Sequence, residues 1–345
     1  MPQASQIGIS NAGAGVGPAL TYVQGKVYLA GPYKGGPFSL VVITPAQAGP
    51  FDLGTVVVRS ALQVDPETAQ VTVRSDPLPQ ILEGVPLDVR DIRVYVDRPE
   101  FILNPTNCEP MSVRATVTSV QGDVAHPSTR FQVADCARLG FKPKLSLKLK
   151  GGTKRSGNPA LKAVLTQKPG QANTAKAIVT LPHSEFLEQA HIRTICTRVQ
   201  FAAKQCPPGS IYGHATAITP LLDGPLSGPV YLRSSDHQLP DLVVALKGPE
   251  SAPIEIDLVG RIDSVRGGIR STFSSVPDAP VSKFTLEMQG GKKGLIVNSR
   301  NLCSSTSRAQ VNLTGQNGKF RHLRPVVRPD CKKSGRHKRG GGGKR

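Results

Sequence analysis

The chain contains no tryptophan and only three methionines, and aromatic residues make up 5% of its 345 positions. Surfaces that stack sugars or unpaired bases need aromatic rings, so carbohydrate-binding and single-strand nucleic-acid-binding readings start with few candidate residues. No apolar run approaches the ~18 residues of a membrane-spanning helix. The chain has no CxxC pair and no histidine close to a cysteine at zinc-ligand spacing. It also lacks a P-loop, a GxGxxG turn and an EF-hand loop. Its seven histidines are scattered, and His183 and His191 lie eight apart, not at HExxH spacing. In Gly209-Ser210-Ile211-Tyr212-Gly213 the second glycine falls one residue too late for a nucleophile elbow. No catalytic, cofactor-binding or metal-ligating set emerges, so a non-enzymatic protein is expected.

Glycine and proline are plentiful, at 35 and 30 residues. Helix interiors tolerate neither, whereas short strands joined by many turns accept both, so the composition points to an all-β protein. Charge is one-sided: 43 Lys and Arg against 24 Asp and Glu give a formal net charge of +19. Part of that surplus lies in KKSGRHKRGGGGKR, residues 332–345, a basic Gly-rich tail read as disordered. A basic surplus suits polyanionic neighbours such as cell-wall polymer, phospholipid headgroups or nucleic acid.

One phrase occurs twice. NCEPMSVRATVTSVQGD starts at Asn107 and NLCSSTSRAQVNLTGQNG at Asn301. Cys108 and Cys136 are 28 positions apart, and so are Cys303 and Cys331; each pair closes on Asp-Cys. The repeat therefore selects Cys108–Cys136 and Cys303–Cys331 from the fifteen connectivities open to six cysteines, leaving Cys196–Cys206 as a small loop. Disulfides imply an oxidising compartment, hence an extracellular or cell-envelope location. MPQASQIGIS is not a secretory signal, so the sequence is read as the C-terminal piece of a longer exported protein, or as one whose start codon is placed too late. Upstream of the cysteines the repeat continues: Val27-Tyr28-Leu29 matches Val230-Tyr231-Leu232, Leu40-Val41-Val42 matches Leu242-Val243-Val244, and Ile7-Gly8 matches Tyr212-Gly213.

These matches divide the chain into a first unit at 1–136, a middle segment at 137–208, a second copy of the unit at 209–331 and the tail. Within the units, VRDIRVYVD and KFTLEMQG alternate apolar and polar residues with the period of half-buried strands. Turn signals recur every 8–12 residues, as in a β-sandwich. The expected fold is all-β: tandem immunoglobulin-like sandwiches around a smaller β-rich middle segment. That segment contributes strands at FKPKLSLKLKGG, ALKAVLTQ and AKAIVTLP, then a short helix over PHSEFLEQAHIRTIC. In the helix Pro182 stands at the opening, Glu185 in the first turn, and Phe186, Leu187, Ala190 and Ile195 on one face. Asp236, Asp241, Asp257 and Asp263 have no clear counterparts in the first unit, which argues for a scaffold.

Lys142, Lys144, Lys148 and Lys150 fall on one side of the first middle-segment strand. Together with Lys332, Lys333, Arg336, Lys338 and Arg339 of the tail they form the candidate polyanion-binding set. The alternative is a solvated outer face, or an edge strand protected by lysines against aggregation. For a carbohydrate-binding module the few aromatic candidates are Tyr28, Tyr231 and Tyr33.

Two long stretches, HIRTICTRVQFAAKQCPPGSIYGHATAITPLLDGPLSGPVYLRSS and IDLVGRIDSVRGGIRSTFSSVPDAPVSKFTLEMQGGKKGLIVNSRNLC, resemble a group of large actinobacterial secreted or surface-attached proteins. Those proteins carry this block near the C-terminus, followed by a short basic tail. The resemblance covers residues 139–333 and, more loosely, the first unit. It implies secretion and a multi-unit array; no activity is assigned to the group, so it transfers no functional residue. The expectation is a structural or adhesive surface protein that partners anionic cell-wall polymer or other surface proteins. A carbohydrate-binding module and a nucleic-acid binder are the alternatives, the last disfavoured by the missing aromatics.

Overall fold

The computed structural model describes residues 1–265 and 267–331. The first unit opens with β1 (Gln6–Ala14), β2 (Thr21–Ala30), β3 (Phe38–Ala48), β4 (Phe51–Val64) and β5 (Val71–Ser75). A two-residue pair, β6 (Ile81–Leu82) and β7 (Val85–Pro86), leads into β8 (Val89–Val96). Five of these form an antiparallel meander, and β8 returns beside β1, giving the order β5-β4-β3-β2-β1-β8. Local chemistry sets the turns. Between β4 and β5, Asp65 Oδ1 accepts from the Glu67 and Thr68 amides and the Thr68 hydroxyl, and Ala69 takes a positive φ of 58°. After β8 come β9 (Met111–Arg114), β10 (Val117–Thr118), β11 (Val124–Ala125) and β12 (Ser128–Phe131), paired as β9–β12 and β10–β11.

The middle segment supplies β13 (Lys144–Lys150), β14 (Ala160–Thr166), β15 (Thr174–Thr180) and the short β16 (Glu185–Leu187), then α1 (Arg198–Ala202). The second unit follows with β17 (Ile211–Ile218), β18 (Leu226–Arg233), β19 (Asp241–Lys247), β20 (Glu255–Val265), β21 (Gly268–Phe273) and β22 (Lys283–Met288). After the short β23 (Ile296–Asn298) come β24 (Ser307–Arg308), β25 (Gln310–Gly315), β26 (Phe320–Leu323) and β27 (Val326–Pro329).

The six-strand sheet of the first unit is matched strand for strand in the second. The order β21-β20-β19-β18-β17-β22 reproduces β5-β4-β3-β2-β1-β8. Even the irregularities coincide. Gln6 faces Tyr28 and the next pair is Gly8–Val27, so Ile7 is bulged out of register. Ile211 faces Tyr231 and the next pair is Gly213–Val230, which bulges Tyr212 in the same way. A bulge re-aims one side chain, and here both Ile7 and Tyr212 are buried. The following glycine has one cause in both copies: a methyl at Gly8 would come 1.9 Å from Tyr95 O, and one at Gly213 would come 2.5 Å from Glu287 O. Beyond the meander, Ala115 N donates to Pro127 O as Ala309 N does to Pro325 O, so β9–β12 correspond to β24–β27.

The surroundings of the two copies differ. β13, β14 and β15 hydrogen-bond into the second unit's sheet, in the order β24-β27-β13-β14-β22-β17-β18-β19-β20-β21-β15-β25-β26. The sheet is continuous across position 208/209. One residue, Ala309, joins β24 near one end of the sheet to β25 near the other, so the sheet curls until its ends approach. Leu147 and Leu149 of β13, Tyr212, Val230, Leu232, Val311 and Leu313 are buried inside this curl. The first unit's own buried residues, such as Val27 and Val41, lie outside that cluster.

The expected helix over residues 182–196 is corrected by the structure. Glu185–Leu187 is extended and pairs with β23, and Gln189–His191 is a single 3-10 turn. The helix lies one step later, at Arg198–Ala202, where Thr197 and Gln200 form a capping box. Backbone pairing with Ile296–Asn298 overrides the helical spacing of the apolar residues, and it does so although it buries Glu185, whose carboxyl that burial pushes up from its ordinary value.

All six cysteines are paired, as Cys108–Cys136, Cys196–Cys206 and Cys303–Cys331, which leaves no thiolate for a metal. Cys196–Cys206 brackets α1. The first unit is joined to the rest through Asp278, whose carboxylate accepts from Thr106 N (2.7 Å), Thr106 Oγ1 (2.6 Å), Asn107 N (3.0 Å), Asn107 Nδ2 (3.0 Å) and Asn173 Nδ2 (2.8 Å). Asn107, the opening residue of the repeated phrase, therefore serves as an inter-unit clamp.

Candidate polyanion-binding face and charged cleft

Lys142, Lys144, Lys148 and Lys150 are all exposed, while Phe141, Leu147 and Leu149 are buried on the opposite side. The alternation of the sequence accounts for both faces. β13 is an interior strand, antiparallel to β14 and parallel to β27, so aggregation defence at a free edge does not explain its lysines. The sheet extends the row sideways. Lys148 pairs with Arg328 on one flank and with Lys162 on the other. Cross-strand steps are about 5 Å, and alternate residues along a strand are about 7 Å apart. The result is a grid of cations on a rigid backbone. Glu287, 2.7 Å from Lys162, is the acid next in line on β22; both partners are exposed, so the pair contributes under about 1 kcal/mol. β13, β14 and β27 carry no aromatic residue. Lys332, Lys333, Arg336, Lys338 and Arg339 lie outside the described residues.

The aromatic candidates are occupied by the fold. Tyr28 is buried. Tyr231 meets Phe201 of α1 edge-on, with centroids 6.0 Å apart. Tyr33 donates to Asp76 Oδ2 at 2.6 Å and lies under the Arg59 guanidinium, 4.1 Å from its ring centroid.

A second feature was only half visible in the sequence. Three of the four second-unit acids, Asp236, Asp241 and Asp257, line one cleft of about 550 Å3 with Glu67 of the first unit and the guanidinium groups of Arg198, Arg233 and Arg261. The fourth, Asp263, lies on β20 in a bidentate pair with Arg270 at 2.7 and 2.5 Å. In the cleft Asp241 is buried, 3.0 Å from His237 Nε2 and 3.5 Å from Arg233 Nη2. Arg233 stacks over Phe201 at 5.2 Å. Arg233 and Asp241 face each other across the β18–β19 turn. Glu67 comes from the β4–β5 turn, where Pro66 O accepts from Asp257 N at 2.8 Å.

Burial pushes the Asp257 carboxyl up from 3.8 to about 6; Glu255 and Glu67 add to the rise, and Arg233 and Lys204 oppose it. The sign for stability follows from linkage. Below about pH 4 the group is neutral in both the folded and the unfolded chain and costs nothing. Between about pH 4 and pH 6 the unfolded chain loses its proton first, so stability falls as pH rises. Above about pH 6 the full cost is present. Asp257→Asn is expected to flatten this segment of the stability profile and to raise stability at pH 7. The gain is about 1–2 kcal/mol after allowance for the half-open site. Denaturant unfolding at pH 4, 5, 6 and 7 reads it, and parallel profiles for the variant and the parent would contradict it.

No protein-family model, no curated protein and no solved structure matches this chain.

Proposed function

We propose that the chain is a non-enzymatic structural or adhesive β-protein of the cell surface or extracellular space. It holds to anionic envelope polymer through the cation grid on β13, β14 and β27, and the basic tail at 332–345 adds to that hold. The observation that carries this reading is the grid itself: Lys144, Lys148, Lys150, Lys162 and Arg328 exposed on three hydrogen-bonded strands. The three disulfides support a protein that folds in an oxidising environment. Among the described residues no helix is long and apolar enough to cross a membrane. The sandwich-like, immunoglobulin-type character of each unit belongs to this proposal as a likeness of role, a stapled extracellular module. The consecutive meander of β17–β21 departs from the immunoglobulin strand order.

Immobilised polyphosphate, a neutral polysaccharide and single-stranded DNA distinguish the readings. The expected result is salt-sensitive retention on polyphosphate. Retention falls about 100-fold in the triple variant Lys144→Glu, Lys148→Glu, Lys150→Glu, from about 1 kcal/mol per cation. Retention equal to that of the parent sinks the proposal. Tight binding to the neutral polysaccharide would instead favour a carbohydrate module, and preference for DNA over polyphosphate a nucleic-acid binder.

A further inference from the structure

The two copies of the unit end in different states. In the second, β14 covers the β22 edge, β15 bridges β21 and β25, and β13 carries β27. In the first, the matching edges β8 and β5 are the ends of their sheet, and the β9–β12 and β10–β11 pairs stand alone. The side chains record the difference. Leu286 of β22 is 9% exposed, whereas Val94, at the same place on β8, is 48% exposed. Val311 of β25 is 1% exposed and its counterpart Val117 is 56% exposed. Val73 on β5 is 52% exposed. Open edges flanked by exposed valines and isoleucines are sites for strand addition.

We infer that the first unit is an acceptor for a three-strand segment of the same kind as residues 139–181, carried by a separate partner protein. The segment adds one strand to β8 and one to β5, as β14 adds to β22 and β15 to β21. The register states its chemistry. Leu161, Ala163 and Leu165 of β14 face Met288, Leu286 and Phe284; the matching positions on β8 are Val96, Val94 and Ile92, also apolar. Lys162, which pairs with Glu287 in the second unit, would meet Tyr95, a ring that accepts a cation. Arg93 is already neutralised by Asp91 at 2.7 Å, so a lysine-bearing donor meets no uncompensated charge. A second copy of the chain is not the occupant, because each copy carries one such segment among its described residues and already uses it. The inference is independent of polyanion binding.

The test titrates a synthetic peptide of residues 139–181 into the full-length protein. The expected result is saturable 1:1 binding that slows amide exchange in 89–96 and 71–75 and leaves β21 and β22 unchanged. The peptide variant Ala163→Asp, Leu165→Asp should bind at least tenfold more weakly; the change is on the peptide, so the protein's folding is untouched. On the protein side, Val94→Asp should also weaken binding tenfold. Absence of saturable binding overturns the inference. Slowed exchange at β21 and β22 instead would mean displacement of the resident segment and would overturn it too. Self-association of the protein that buries β8 and excludes the peptide would make the occupant a second copy, which is equally fatal.

Discussion

Replacing Cys303 and Cys331 together with serine lowers the stability of the body formed by residues 139–331 by about 3–4 kcal/mol. That is the loop-closure entropy returned to the unfolded chain when a 28-residue separation is no longer bridged. The native side adds a specific route for the loss. Cys331 follows β27, which lies beside β13, and Asp330 N donates to Leu149 O at 2.8 Å. Without the bridge, β27 and β24 form a free end of the curled sheet, and β13 loses a neighbour. The matching change, Cys108→Ser with Cys136→Ser, opens a loop of the same separation. Its strands β9–β12 are almost wholly exposed and outside the main core, so that variant leaves the transition of the 139–331 body in place. Denaturant unfolding followed by circular dichroism compares the two. A shift below about 1 kcal/mol for the 303–331 variant would refute the entropic argument.

Val311→Ala costs about 2–3 kcal/mol, because two methyl groups leave a closed site and the cavity does not fully collapse. Val117→Ala, the same substitution at the same place in the other copy, changes stability by no more than about 0.5 kcal/mol, as surface changes do. Val311 lies on β25 between β15 and β26, whereas Val117 lies on a two-residue strand with β11 as its partner. The pair isolates the contribution of the middle segment from that of the repeated sequence. Equal costs at the two sites would mean that the first unit is as closed as the second, and would remove the structural basis for strand addition. Thermal unfolding of the two single variants under identical conditions suffices.

The sequence reveals the architecture down to single residues in some places and hides it in others. The cysteine pairs follow from the shared spacing of 28. The strands at β8, β13, β14 and β15 follow from alternation, and the match of Ile7-Gly8 with Tyr212-Gly213 falls on one bulge seen twice. Alternation names a strand but not its neighbour. Nothing in KLSLKLK says that it lies beside Val326–Pro329, and so the single sheet shared by the middle segment and the second unit was not legible. Phe186 and Leu187 fit a helical stripe as well as a strand; the partner that decides, Ile296–Asn298, is more than a hundred residues away. The true helix had a readable start in Thr197-Arg198-Val199-Gln200, a capping box without a long apolar stripe behind it. The lysine row is visible because its residues alternate along one short stretch, Lys142 to Lys150. The charged cleft is not, because Glu67, Asp241 and Asp257 come together only when the first unit docks.

The shared sheet also bears on how the chain is made. Leu147 of β13 lies beside Val327 of β27, about 180 residues later in synthesis. At about 5–20 residues per second the earlier strand waits roughly 10–40 s for its neighbour. Contacts so distant in sequence are slow to form. The curled sheet thus cannot close until β27 has been synthesised, and β13 stays without its parallel neighbour throughout that interval.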